Sequence, residues 1–219
     1  MLKRYALISL TTTLCYACST GAEQYTAQPS SSVQPNFATE DLHELLIAEV
    51  AYQRGHYDLA LRHYHNTTLS SRNKKLAAHT TRLALEMNQP NMALEPAILW
   101  ANQALSNPKP QALVVLMLIS SKNYIKALPY LGRITINQKA KPYLKLVTEE
   151  STPVERAHLS ALFSTLHQQQ TFHPEAALII AKFIHTERPQ LARAILTDIL
   201  IKRPNWTEAI SFKNQIHAN

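Results

Sequence analysis

Apolar side chains in this 219-residue chain return every three or four positions in short stretches, and polar or proline-containing breaks separate those stretches. Leu42, Leu45, Leu46 and Val50 recur at i, i+3, i+4 and i+8 and predict one apolar stripe on a first helix, with Thr39 or Asp41 as its cap and Gly55 at its end. A second helix is predicted from about Tyr57 to Leu69, with Ala60, Leu61 and Tyr64 on its buried face. Ser70, Ser71 and Asn73 break the pattern before a third helix over Lys74 to Met87; Asn91 then caps a fourth that reaches Leu105. The stretch Gln111 to Ile119 is apolar nearly all round, which suits a helix covered on several sides. Its partner begins after Asn123 and carries Tyr124, Ala127, Leu128 and Leu131. Pro96 and Pro129 fall early in their helices, where a missing amide costs little, so both helices are read as continuous.

Beyond Asn137 the pattern predicts helices over 139–148, 153–167, 174–185, 190–202 and 205–217, which brings the total to about eleven. Thr152 precedes Pro153 at a first helical position, with Glu155 following, and Pro189 and Pro204 mark breaks. In the last helix, Trp206, Ile210 and Phe212 are expected to cover the preceding pair while Lys213, Asn214 and Gln215 face water.

The helices come in pairs of nearly equal length. An alanine is read near the start of each second helix at Ala60, Ala93, Ala127 and Ala161, at intervals of 33, 34 and 34. A period in the low thirties built from two helices marks an α-solenoid. The first copy, ELLIAEVAYQRGHYDLALRHYHNT, sets small Ala48 on one helix, Gly55 at the turn, and small Ala60 and large Tyr64 on the next. With these residues, and with Pro108 and Pro204 following helices, the chain resembles the tetratricopeptide repeat; Ala51 stands where that family has an aromatic, with Tyr52 beside it, and only the first unit keeps the turn glycine. More closely, it resembles the tetratricopeptide-repeat outer-membrane lipoproteins of Gram-negative bacteria, including adaptors that present substrates to a periplasmic processing protease. The resemblance is carried by Asp41 to Ile136. It implies an all-α fold, a right-handed α-solenoid of helix-turn-helix repeats over 39–219.

The amino terminus fits that resemblance. Lys3 and Arg4, an apolar run from Tyr5 to Leu14 and small Ala17 before Cys18 have the three parts of an export signal over 1–17. The run falls short of the roughly 20 apolar residues a membrane span needs. Leu14-Cys15-Tyr16-Ala17 before Cys18 resembles a bacterial lipobox, which implies acylation of Cys18; an ordinary secretory signal with incidental cysteines is the alternative. Ser19 and Thr20 after the cysteine imply sorting to the outer membrane, so the expected location is its periplasmic face. Residues 18–38 are rich in Ser, Pro, Gln and Thr and read as a disordered tether. Both cysteines of the chain, Cys15 and Cys18, lie in this leader, so the repeat domain has neither an internal disulfide nor a cysteine-based site.

Composition changes this picture little. With 46% apolar and 17% charged residues the chain has material for a core, and 3 glycines against 12 prolines argue for helices punctuated by proline. The net charge is +7, reduced by two when Lys3 and Arg4 leave with the signal. A basic surplus could serve RNA, but the basic residues are scattered instead of recurring once per repeat, and the export signal argues against it. Among ten histidines the densest group is His43, His56, His63 and His65. His63 and His65, about 200° apart around a helix, do not chelate one ion from one face, so these are read as surface histidines. No HExxH, GxSxG, GxGxxG or phosphate-loop motif occurs. Neither a cofactor, nor a metal, nor a small-molecule substrate, nor an enzymatic activity is expected.

What remains is the concave surface that stacked first helices create. Matching the repeat's groove places onto this chain gives Glu49, Tyr52 and Gln53 in the first unit and Arg82 and Glu86 in the second, residues suited to an extended peptide or a partner helix, with Tyr52 as anchor. The reading is a non-catalytic, membrane-tethered adaptor or scaffold that binds a protein or peptide of the cell envelope, a periplasmic protease among the partners implied. A pilotin-like or envelope-assembly lipoprotein is the alternative; an RNA-binding repeat protein or an enzyme with an unrecognised site stands behind both.

Overall fold

The computed structural model describes residues 38–217, and every regular element among them is a helix. The eleven are α1 (Thr39–Gln53), α2 (Tyr57–Ser71), α3 (Lys74–Glu86), α4 (Pro90–Gln103), α5 (Pro108–Ser120), α6 (Tyr124–Thr135), α7 (Lys141–Glu149), α8 (Pro153–Gln169), α9 (Pro174–Ile184), α10 (Pro189–Lys202) and α11 (Thr207–His217). The expected export signal and lipid cysteine lie outside the described residues, as does the tether up to residue 37.

α1 packs on α2, α3 on α4, α5 on α6 and α9 on α10, as helical hairpins. Successive hairpins stack so that α5, α7 and α9 meet in one row and α6 and α8 in the other, with α4 bridging to α5 and α2 to both α3 and α4. This is the layered helix-on-helix arrangement of a tetratricopeptide-like solenoid. Ala60, Ala93, Ala127 and Ala192 each occupy the fourth position of their second helix and are wholly buried, so each helix pair closes to small-residue distance. Ala161 is not one of them. It lies exposed in the middle of α8, whose fourth position holds Arg156. The long side chain there turns to α9, its guanidinium 4.3 Å over the Phe183 ring, and α7 and α8 do not pack closely on each other.

α8 is held instead against α6. Gly132 admits Leu166 so closely that a Cβ would stand 3.2 Å from its Cδ2, and the Gln170 amide donates to the Gly132 carbonyl at 2.9 Å and the Thr135 hydroxyl at 2.8 Å. An amide plays the same part at the ends of α4 and α6. Gln103 donates to the Arg72 carbonyl at 2.7 Å and Asn137 to the Ser106 carbonyl at 2.9 Å, so Gln103, Asn137 and Gln170 latch the ends of α4, α6 and α8 to the chain of the preceding pair.

The turns inside the first three hairpins share one backbone form. Gly55, Asn88 and Lys122 all have positive φ (78°, 54° and 61°), and the next amide reaches back five residues, from His56 to Ala51, Gln89 to Ala84 and Asn123 to Leu118 at 2.7–2.9 Å. This left-handed closure ends a helix while bonding its last carbonyls. The glycine of the first unit is thus replaced in sequence while its geometry is kept.

Several helix starts differ from expectation. α1 begins after Ala38 with no side-chain cap; Asp41 instead accepts from the Ser70 hydroxyl at the end of α2. α4 opens with Pro90, whose fixed φ suits a first helical position, so Asn91 lies within the first turn, and Gln89 sends its amide to Asp58 at 2.7 Å. Thr152 and Glu155 form a reciprocal capping box at α8. Pro96 and Pro129 lie inside unbroken helices.

The interior falls into two apolar clusters, one built from α1 to α4 around Tyr64, Leu61 and five alanines, the other running from Ala97 to Phe212; Met117 touches both. Burial corrects the first helix. Ala48 and Ala51 face α2, so α1 closes through its small face, and Leu42 and Leu46 are left 52% and 62% exposed, with Val50 also outward. In α11, Ala209 and Phe212 are buried with Ile216 against them, while Ile210 is exposed and Lys213 half-buried. Positions 209, 212, 213 and 216 share one helical face, to which 210 does not belong.

Candidate functional site

Tyr52 sits in the last turn of α1, exposed to 38%, with its ring edge-on to Tyr57 at 5.3 Å and to His79 of α3 at 6.5 Å. His79 is in turn edge-on to Tyr64 at 4.8 Å, and Tyr64 is one of the largest wholly buried side chains. A line of ring contacts therefore runs from the surface at Tyr57 through Tyr52 and His79 into the first apolar cluster. Edge-to-face contacts of this kind fix ring orientation and add modest stability to area burial.

Charged groups surround that line. Glu49 lies one turn before Tyr52 on α1 and beside the Tyr64 hydroxyl, and burial together with that carboxylate raises the Tyr64 phenol well above its ordinary range. Arg82 and Glu86 follow His79 at i+3 and i+7, so the three share one face of α3. The His79 imidazole is held below the ordinary histidine value, first by burial and then by the Arg82 charge; Glu49 and Glu86 act in the opposite sense. Its Nε2 is buried and has no hydrogen-bond partner among the described residues. Glu49, Tyr52, Arg82 and Glu86 are all exposed around this ring. Gln53 is exposed too, but no contact ties it to the group.

Four of the five residues named from the sequence are thus brought together by α1 and α3, and the residue at their centre, His79, was not named. Its signal was the i, i+3, i+7 run from His79 through Arg82 to Glu86. His63 and His65 are half-buried instead of lying free on the surface, and they point to different helices. His63 Nδ1 meets Glu44 of α1 at 2.6 Å and His65 Nε2 lies 3.8 Å from Glu95 of α4. No cluster of His, Cys, Asp and Glu among the described residues is arranged to hold a metal ion, and no described helix is long and apolar enough to cross a membrane.

Stacked hairpins, most of them closed by alanines, with a polar and aromatic face on α1 and α3, define a tetratricopeptide-like helical-repeat fold. Over 168 residues, 74% of its length, the chain is 26% identical to the TPR repeat-containing protein PA4667 of Pseudomonas aeruginosa; it spans 28% of the length of that relative. No family model matches the chain. Among solved structures it is similar to the crystal structure of MamA protein (TM-score 0.41, 14% identity, 75% of this chain and 92% of that one). It is also similar to that of YrrB, described as a TPR protein with an unusual peptide-binding site (TM-score 0.38, 14% identity, 80% and 94%).

Proposed function

We propose that this chain is a non-catalytic scaffold or adaptor that binds a partner protein or peptide in the groove along its first helices, with Tyr52 as the aromatic anchor. The observation that carries this reading is the exposed Glu49, Tyr52, Arg82 and Glu86 around His79, where core packing asks for none of these side chains. Tyr52 is already held by Tyr57 and His79, so it loses little freedom when a partner covers it, and an aromatic of this size buries much area at small entropic cost. Glu49, Arg82 and Glu86 offer both signs of charge to the rim, which favours registry over raw affinity.

We read the amino terminus as an export signal over 1–17 followed by an acylated Cys18, which would hold the repeats at the periplasmic face of the outer membrane. The partner is then an envelope protein, and the resemblance to protease adaptors makes a periplasmic protease a first candidate. The sequence from Met1 to Thr20 supports this part of the reading.

A pulldown of envelope proteins with wild type and with the Tyr52→Ala, Arg82→Glu double variant tests the groove, once circular dichroism has shown equal helicity. Removal of a central aromatic anchor costs about 2 kcal/mol or more, so partner recovery should fall by at least an order of magnitude. Equal yields of the same partners would move the site away from α1 and α3. Mass spectrometry of the mature amino terminus tests the anchor: Cys18→Ser should leave the chain unlipidated while Cys15→Ser should not.

A further inference from the structure

An opening of about 460 Å³ lies between α7, α9 and α11, with Arg156 of α8 reaching into it. Its size is that of an ordinary ligand pocket. Leu178, Ile179 and Phe183 of α9 line it with apolar surface, and Arg156 enters from α8. The guanidinium lies 4.3 Å over the Phe183 ring and donates through one Nη to the Phe183 carbonyl at 3.2 Å, so its plane is fixed. No described carboxylate pairs with it, although the pocket's three lysines all have partners: Lys141 with Glu175 at 2.9 Å, Lys145 with Glu149 at 3.4 Å and Lys182 with Glu208 at 2.7 Å. A half-buried arginine held flat, with only one of its donors used, offers a preformed fork for a carboxylate.

We propose that this pocket is a docking site for one acidic side chain of a partner peptide, its carboxylate forked onto Arg156 and a neighbouring aliphatic side chain laid on Leu178, Ile179 and Phe183. The lysines raise the local potential toward an anion. Glu149, Glu175 and Glu208, interleaved with them around the opening, repel a run of successive phosphates, so a nucleic acid is the wrong shape of charge and a single carboxylate beside apolar surface is the right one. The site rests on the proposed function in taking the partner to be a protein, and it lies on the later first helices α7, α9 and α11, away from Tyr52 on α1.

Fluorescence anisotropy of two labelled peptides on the full chain tests it, Gly-Ser-Leu-Asp-Leu-Ser-Gly and the same peptide with Asn for Asp, with oligouridine as a third probe. The Asp peptide should bind roughly tenfold more tightly than the Asn peptide, and Arg156→Gln should remove that preference. Lys145→Glu, an exposed change whose only ion-pair partner among the described residues is one turn away on the same helix, should weaken the Asp peptide several-fold without loss of helicity, and it decides the matter should Arg156→Gln fail to fold. Tyr52→Ala should leave peptide affinity unchanged even where it empties the envelope pulldown, which separates this site from the other. Equal affinity for both peptides, no binding of the Asp peptide at about 1 mM, tighter binding of oligouridine, or a Lys145→Glu variant indistinguishable from wild type would each overturn the proposal.

Discussion

At Ala60 and Ala161, the same residue type occupies two unlike places. Ala60 is wholly buried where α1 meets α2, and Ala161 faces solvent on α8. Ala60→Leu should therefore overpack its hairpin and cost roughly 1–3 kcal/mol, while Ala161→Leu should stay within about 0.5 kcal/mol of wild type. Urea unfolding of both variants reads the difference, and equal midpoints would mean that Ala60 is not at the crossing. His79 gives a second effect at this scale. Its folded value lies below the ordinary 6.5, so as pH falls the unfolded chain takes up the proton first. The stability that His79 contributes is then fully present above about pH 6.5 and is lost as pH falls below that toward the folded value. His79→Phe keeps a ring against Tyr52 and Tyr64 but removes the proton. Between about pH 7.5 and 5.5 the variant should lose less stability than wild type, and parallel profiles would show that His79 does not titrate in this window.

At the level of the element, the turn carries more information than its residue type. Asn88 and Lys122 hold the left-handed form that Gly55 holds without strain, and a non-glycine residue there costs about 1 kcal/mol or somewhat more. Lys122→Gly should accordingly raise stability by about 1 kcal/mol, measured by thermal or denaturant unfolding. No change would mean that the lysine side chain makes good the cost by contacts of its own. These turns also explain what the sequence disclosed and what it concealed. Helix number, the paired organisation and the buried alanines of the first three hairpins were legible because periodicity and small residues report directly on packing. The repeat after Ile136 was misread: the count of 34 from Ala127 lands on Ala161 by coincidence, and Arg156 at the crossing place breaks the rule that the count relied on. The stripe on α1 was misread for a related cause. Large apolar residues were taken to mark the buried face, and of the four only Leu45 packs against the core, since a helix that touches its partner through alanines turns Leu42, Leu46 and Val50 outward. Glu49, Tyr52, Arg82 and Glu86 could be placed from the repeat's register; the spacing of His79 to Arg82 and Glu86 puts it on their face, but its central place comes from rings on two other helices.

Over the whole molecule, the first apolar cluster is small and rich in alanine and the second is long and continuous, with α4 and Met117 between them. The outward Leu42 and Leu46 lie on the first helix of the described array. The parted helices α7 and α8 have a different consequence. In a closed hairpin the two helices hold each other, so cutting the turn between them leaves their mutual grip intact but adds nothing new to join the halves. Here α7 grips α5 and α9, while α8 grips α6, so the chain on either side of Ser151 is interwoven with the other across several surfaces. The turn itself is a short, partly exposed link without the left-handed closure of the earlier ones. Such a link is a place where a break in the backbone is tolerated. Residues 1–151 and 152–219, expressed as two separate polypeptides, should therefore find each other and copurify with the helicity of the intact protein; recovery of either piece alone and folded would sink the idea. The missing contact would make this protein one that can be taken apart and put back together.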